Sequence, residues 1–289
     1  MRMHGQTKLG FYPLPVAEIG RLRKFLVSGA GFSALDPCVG DGVAFGHLLQ
    51  NVDCNRYGVE IDANRAEQAA ALGIKTLQAN TMDVRCPPEA VSLLYLNPPY
   101  DWEAGGSNND RLEFVFLEHT YRWLKAGGVL LFVIPQIRLA KCARLLSEQF
   151  VDLRVFRLTE PACVQFRQII VIATRRKRHA PLSDGALLDG VRYFEMLSTK
   201  GDLEPLGDVA DVRYEVPPSQ PLVLTNMGIP LDEVEDLLLE SAAYRQAARI
   251  LLPKLGDVRG RPLTPLHGGH VGLLCTAGML NGIFGEGEL

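Results

Sequence analysis

The sequence predicts an α/β fold: a doubly wound, mostly parallel sheet of seven strands with one antiparallel member. Three observations carry this. Apolar runs of strand length alternate with stretches of helical spacing from Leu35 to Ile134. Two further strands, Val151 to Leu158 and Ile169 to Thr174, follow with no helix between them, which suits antiparallel pairing. Glycine, proline and polar residues punctuate several strand ends, the place where open α/β sheets bind ligands. A smaller α+β extension completes the chain.

Taken in order, Met1 to Lys8 is polar. Leu9-Gly10-Phe11-Tyr12-Pro13-Leu14-Pro15 is extended by its prolines. Val16 to Val27 has helical spacing, with Val16, Ile19, Leu22, Phe25 and Leu26 forming the apolar stripe. A short strand then ends at Asp36, in Asp36-Pro37-Cys38-Val39-Gly40-Asp41-Gly42, and a helix runs from Val43 to Leu49. Glycines there let the backbone approach a ligand, and the helix N-terminus offers free N–H groups. No Lys-Ser/Thr pair follows, so this is no phosphate-cradling P-loop, and the pattern is not GxGxxG. A tight strand-to-helix connection is the plainer reading of the same residues.

The next strand, Arg56 to Asp62, closes on Glu60-Ile61-Asp62. An acid at that place can accept hydrogen bonds from both hydroxyls of a ribose. Asn64 to Leu72 is an alanine-rich helix and Ile74 to Gln78 a strand, followed by Asn80-Thr81-Met82-Asp83. A polar side chain there could read an adenine edge; a turn or helix cap is the competing reading for Asn80 and Asp83.

Val91 to Leu96 is an apolar run that stops at Asn97-Pro98-Pro99-Tyr100. Neither proline can donate to a sheet, so the strand ends there in a stiff turn. The turn gathers the Asn97 amide, the Pro98 carbonyl and the Tyr100 ring. Two neutral acceptors suit an NH2 group with two hydrogens to give, and a flat ring suits a planar target. Asp101 to Arg111 reads as a loop beside this group. Leu112 to Leu124 is an amphipathic helix stopped at Lys125-Ala126-Gly127-Gly128. Val129 to Ile134 is a buried strand and Ile137 to Phe150 a helix. Phe166 lies between the last two strands.

The basic run Arg175-Arg176-Lys177-Arg178-His179 marks a boundary and is either a solvated end or a phosphate contact. Beyond it Gly190 to Pro217 reads as β-like and loop-rich, Pro221 to Thr225 as a strand, and Leu231 to Leu252 as a long helix. His267 and His270 have no third ligand near them in sequence, so no metal is expected.

Composition narrows the class. A net charge of −3 gives no global attraction to a polyanion, so any such contact must come from a local patch. Six scattered cysteines without a CxxC argue for a reducing compartment and against a zinc ribbon. With no signal peptide and no bilayer-length apolar run, a cytoplasmic protein with no membrane partner is the expectation.

Together, Phe11-Tyr12-Pro13, the Asp36-to-Gly42 turn, Glu60-Ile61-Asp62 and Asn97-Pro98-Pro99-Tyr100 resemble the motif series of class I S-adenosylmethionine-dependent methyltransferases. The order of motifs is similar to that of the amino-methylating, DNA adenine-N6 type, over roughly residues 9 to 175. The resemblance implies a Rossmann-like sheet, S-adenosyl-L-methionine as cofactor, and DNA as partner. It implies that Asp36, Pro37, Gly40 and Gly42 line the methionine part, Glu60 holds the ribose, and Ile61 packs on the adenine. Asn80 or Asp83 would contact the adenine amino group, and Tyr12 and Pro13 would close over the cofactor. Leu14 stands where many members carry Thr or Ser. Asn97 and the Pro98 carbonyl, with Pro99 stiffening the turn, would take the target amino group while Tyr100 stacks on a flipped base. Phe166 would be a second stacking face. On this reading residues 1–178 are the methyltransferase domain and 179–289 the α+β extension, a region for substrate recognition or partner binding.

Other readings keep parts of this. The same tetrapeptide serves methyltransferases of RNA and of protein glutamine. A cofactor-binding module of a mobile-element complex needs the fold without turnover, but has no need of Asn97-Pro98-Pro99-Tyr100. A nicotinamide dehydrogenase fits the strand–glycine–helix–acid spacing and leaves that tetrapeptide unexplained.

Overall fold

The chain is described here by a computed structural model covering residues 13–29, 31–100, 111–177, 185–228, 237–238, 240–244, 246 and 267–269. It divides into two compact units, Met1–Gly228 and Ile229–Leu289. The first opens with α1 (Val16–Arg23), β1 (Leu26–Ser28), β2 (Phe32–Asp36), α2 (Val43–Leu48), β3 (Cys54–Glu60) and α3 (Ala63–Ala71). Next come β4 (Lys75–Gln78), β5 (Val84–Arg85), β6 (Val91–Leu96), α4 (Leu112–Thr120), β7 (Leu124–Pro135) and α5 (Leu139–Gln149). It closes with β8 (Phe150–Arg157), α6 (Pro161–Val164), β9 (Gln168–Arg175), α7 (Gly185–Thr199), β10 (Tyr214–Val216) and β11 (Thr225–Asn226).

Seven strands form the main sheet in the order β4-β3-β2-β6-β7-β9-β8. Only β9 runs against its neighbours, pairing antiparallel with both β7 and β8. The expected seven strands with one antiparallel member are therefore observed. The connections reverse direction between β2 and β6, which makes that crevice the topological switch point.

Both central strands are buried along their whole length, which is why they read as unbroken apolar runs instead of alternating ones. Alternation still sorts their side chains. Leu35, Leu94 and Leu96 face a core shared with α4, α5 and α7. Ala34, Leu93 and Tyr95 face a second core shared with α1, α2 and α3. Burial of each large side chain is worth about 1.5–3 kcal/mol, so this two-faced packing holds the sheet between its helices and fixes where the strand ends lie.

Several expectations need correction. The first helix stops at Arg23, and Leu26–Ser28 becomes a strand because it pairs in parallel with β10, far away in sequence. Lys125 to Gly128 does not end a helix. α4 ends at Thr120, a single 3-10 turn covers Tyr121–Trp123, and those four residues bulge within β7, where Val91 pairs with Leu124 but Leu93 with Val129. Gly190 to Pro217 is not uniformly β-like. Its first part lies in the 15-residue α7, whose Leu187, Phe194 and Leu197 are buried. Gly190 is a close-packing residue there: a Cβ would lie 3.2 Å from Ser147 Oγ on α5. Of the strand expected at Pro221 to Thr225, only Thr225 pairs, together with Asn226, against β5.

Arg175, Arg176 and Lys177, the described part of the basic run, lie at the opposite end of the sheet from Asn97, because β9 runs antiparallel. Arg175 donates to the Arg122 and Leu124 carbonyls and Arg176 to the Phe150 carbonyl, so these two side chains tie down local backbone. Among the described residues no helix is long and apolar enough to cross a membrane, and no group of three metal-ligating side chains occurs. Phe11, Tyr12, residues 101–110 of the expected loop, His270 and most of the expected helix Leu231 to Leu252 lie outside the described residues.

Candidate active site

Parallel strands carry their C-terminal ends to one edge of the sheet. Asp36 ends β2, Glu60 ends β3, Asn80 follows β4, and Asn97 follows β6. Register fixes their order. Asp36 pairs with Gly58, and Leu35 pairs with Leu94 on the other side, so Asp36 and Asn97 flank the switch-point crevice.

Asp36 is 2% exposed, and its Oδ1 accepts the Cys38 N–H at 2.9 Å. Burial raises its carboxyl to about 7, against the lowering effect of that hydrogen bond. Pro37 is buried, and its carbonyl accepts from the Thr81 hydroxyl, which links this turn to the one after β4. Gly40 and Gly42 both have positive φ, at 59° and 79°. A Cβ on Gly42 would meet Ile74 and Ala69 at 2.8–2.9 Å, so its missing side chain makes room for α3 and for Ile74 just before β4.

Glu60 is held on both oxygens. Oε2 accepts the Gly40 N–H at 2.9 Å. Oε1 accepts from the Asp62 N–H at 2.9 Å and from Arg65 Nε and Nη2 at 3.1 and 2.8 Å. A carboxylate oxygen has roughly two lone-pair sites, so Oε1 is filled and Oε2 keeps capacity for one more donor. Ile61 is exposed beyond the strand end. The register of Glu60 with Gln78 sets the ends of β3 and β4 side by side, with Asn80 two residues beyond β4, where its side chain caps its own turn by accepting the Met82 N–H. Asp83 is directed elsewhere: its carboxylate abuts Gly228 and its carbonyl accepts the Met227 N–H. Pro13 is exposed on the approach to α1, and Leu14 is buried.

At the end of β6, Pro98 is buried and Asn97, Pro99 and Tyr100 are half-buried. The Tyr100 hydroxyl donates to Asn97 Oδ1 at 3.1 Å and accepts from Gln168 Nε2 at 2.6 Å. Burial pushes the Tyr100 phenol well up, while the Gln168 bond opposes this. Burial also pushes the Cys38 thiol up, against the Asn97 backbone N–H that faces it.

Three groups along this edge of the sheet are not singled out by the sequence motifs. Gln168 is one; the available signal is a lone amide at the head of an apolar strand. Arg65 is another, legible in hindsight as a cation one turn into the helix after an acid. The third is Glu113, which is fully buried and holds Arg111 at 3.0 Å and Arg138 at 3.9 Å. Around the same edge Ile137, Val164 and Phe166 are exposed, with Arg138 and Arg167 among them. No acidic residue occurs in Pro135 to Ser147 or in Pro161 to Arg175.

The residues suit a cofactor bearing an ammonium group, a ribose and an adenine. Asp36 is a buried carboxyl with no salt-bridge partner among the described residues, a place that favours a cation. Glu60 Oε2 can take a hydroxyl, and Ile61 offers exposed apolar surface just beyond the end of β3.

A model of an uncharacterised methyltransferase family, DUF6094, matches residues 1–219. No curated protein matches the chain in sequence. Among solved structures, a putative class I S-adenosylmethionine-dependent methyltransferase from Listeria monocytogenes is 18% identical, covering 68% of this chain and 74% of its own, with a TM-score of 0.52. A type I restriction-modification methyltransferase subunit from Streptococcus thermophilus is 17% identical, covering 68% of this chain and 56% of its own, with a TM-score of 0.47. The Listeria likeness establishes the fold as that of the class I enzymes, whose methyl donor is the cofactor expected from the motifs.

Proposed function

We propose, for a chain that belongs to the uncharacterised methyltransferase family DUF6094, that it moves a methyl group from S-adenosyl-L-methionine to an exocyclic amino nitrogen, adenine N6 in DNA foremost. The observation that carries this reading is the turn after β6. It sets the Asn97 amide, the buried Pro98 and the Tyr100 ring at the switch point, next to the buried Asp36.

The cofactor supplies an already activated methyl group. Asp36 and the turn to Gly42 hold its methionine part. Glu60 takes the ribose through Oε2, and Ile61 and Asn80 meet the adenine. Asp83, facing Gly228, is the poorer of the two adenine candidates. The target nitrogen is a weak nucleophile because its lone pair is delocalised into the ring. Asn97 Oδ1 and the Pro98 carbonyl accept its two hydrogens, which favours a pyramidal nitrogen and stabilises the positive charge that grows during attack. Fixed acceptors on a stiff turn also orient the nitrogen, a contribution reorganising water cannot match. The proton leaves after transfer, so no general base is required.

Charge distribution favours a nucleic acid over a protein substrate. The edge around Tyr100 combines exposed Ile137, Val164 and Phe166 with Arg167 and with Arg138, whose charge is shared with the buried Glu113, and the segments Pro135 to Ser147 and Pro161 to Arg175 contain no acid of their own. Apolar faces interleaved with cations suit stacked bases on a phosphate chain. This is the local patch that a net charge of −3 makes necessary. The test is transfer of labelled methyl to mixed DNA, RNA and protein pools. Label recovered as N6-methyladenine in DNA supports the reading. Label in RNA or in protein glutamine keeps the amino-group site and moves the substrate.

A further inference from the structure

We infer that Gln168 is a positioning residue for the methyl-transfer site, acting on Asn97 through the Tyr100 hydroxyl. This rests on the reading of Asn97 as the acceptor of the target amino group.

The geometry is a relay of three side chains, two from the turn after β6 and one from the head of β9. Gln168 is the first residue of β9 and is 4% exposed. Its backbone is fixed on both sides: it pairs with Pro135 of β7, and its carbonyl accepts the Leu158 N–H at 3.0 Å. From there Gln168 Nε2 donates to Tyr100 Oη at 2.6 Å, and Tyr100 Oη donates to Asn97 Oδ1 at 3.1 Å. A phenol has one hydrogen to give. Because Gln168 donates to the oxygen, that hydrogen is directed to Asn97. The acceptor needed by the target amino group therefore carries the protein's own hydroxyl.

A relay of this kind has two consistent directions. In the second, Gln168 turns its amide and accepts the phenol hydrogen through Oε1. Tyr100 Oη then accepts from Asn97 Nδ2, and Asn97 Oδ1 is turned towards the crevice. The change needs two amide rotations, and each of the two bonds of the relay is replaced by one of opposite direction. The reversed direction is the one that serves catalysis, and Gln168 is the residue able to terminate both. Placing this amide at the active edge depends on β9 being antiparallel, since only then does a strand begin where the others end.

The test is a double-mutant cycle on Gln168→Leu and Tyr100→Phe, with Gln168→Glu as the conservative variant and Asn97→Ala alongside. Cofactor affinity is measured calorimetrically for each, and turnover on mixed DNA, RNA and protein pools. The relay predicts that each single change lowers kcat about tenfold with cofactor affinity unchanged, and that the double variant is no worse than either. Gln168→Glu, which can only accept when ionised, keeps most of the turnover. The Asn97 side-chain amide signals in 15N NMR shift in Gln168→Leu, a readout that needs no turnover. Additive losses, or Asn97 signals unmoved by Gln168→Leu, would overturn the relay. Full turnover in Asn97→Ala would instead overturn the reading of the site on which the relay rests. An inactive Asn97→Ala with a fully active Gln168→Leu would overturn the relay alone.

Discussion

Glu60 Oε2 accepts the backbone N–H of Gly40 at 2.9 Å, so the acid that ends β3 is tied to the glycine turn that follows β2. Two separate sequence motifs are thereby one structural unit. Arg65 closes it from the other side, paired with Glu60 Oε1 at 2.8 Å.

Removing the acid should therefore act on stability and on binding together. Glu60→Ala removes the carboxylate that Arg65, whose side chain is only 16% exposed, pairs with, and frees the Gly40 N–H. The expected cost is about 2–3 kcal/mol, read as a lower midpoint in urea unfolding. Cofactor affinity falls as well. Arg65→Met keeps Oε2 intact and should retain cofactor binding despite a similar loss of stability. Unchanged cofactor affinity in Glu60→Ala would remove Glu60 from the ribose site.

Asp36 gives a pH dependence with a definite sign. Its carboxyl is raised from 3.8 to about 7 in the folded chain by burial. The folded state thus holds a proton that the unfolded state has released. Stability contributed by this group is present below pH 3.8 and is lost as pH rises through about 7. A bound ammonium group reverses the preference and favours the carboxylate. Cofactor binding should then release a proton between those limits and tighten as pH approaches 7. Calorimetry in two buffers of different ionisation enthalpy measures the released proton directly. Asp36→Asn should abolish the release; an equal release in that variant would contradict the assignment.

The edge around Tyr100 predicts salt-dependent binding. Arg138→Ala and Arg167→Ala should each weaken nucleic-acid binding at low salt and reduce the slope of log K against log salt by about one. Arg176, at the far end of the sheet and bonded to the Phe150 carbonyl, should have no such effect. Equal slopes in all three variants would place the polyanion elsewhere or exclude it.

The parts of this architecture that could be read from the sequence are those set by local chemistry. Pro98 and Pro99 must end a strand, and Gly40 and Gly42 must make a tight turn, so the edge at Asp36 and Asn97 was legible. The rest depended on long-range partners. Gly190 resembles a helix breaker until Ser147 is seen 3.2 Å from where its Cβ would be. Gly127 and Gly128 resemble a helix stop, but Gly127, at φ 80°, sits in a bulge of β7 whose register only β6 can set. Gln168 carries meaning only because β9 runs antiparallel and delivers its first residue to Tyr100.

The most direct test is Asn97→Ala, measured twice: cofactor affinity by calorimetry and methyl transfer to the substrate identified from the mixed pools. The account predicts a loss of at least about a hundredfold in kcat, the scale of removing a charge-stabilising acceptor, with cofactor affinity unchanged. Equal losses in cofactor binding and turnover, or turnover preserved, would contradict the claim that Asn97 receives the target amino group.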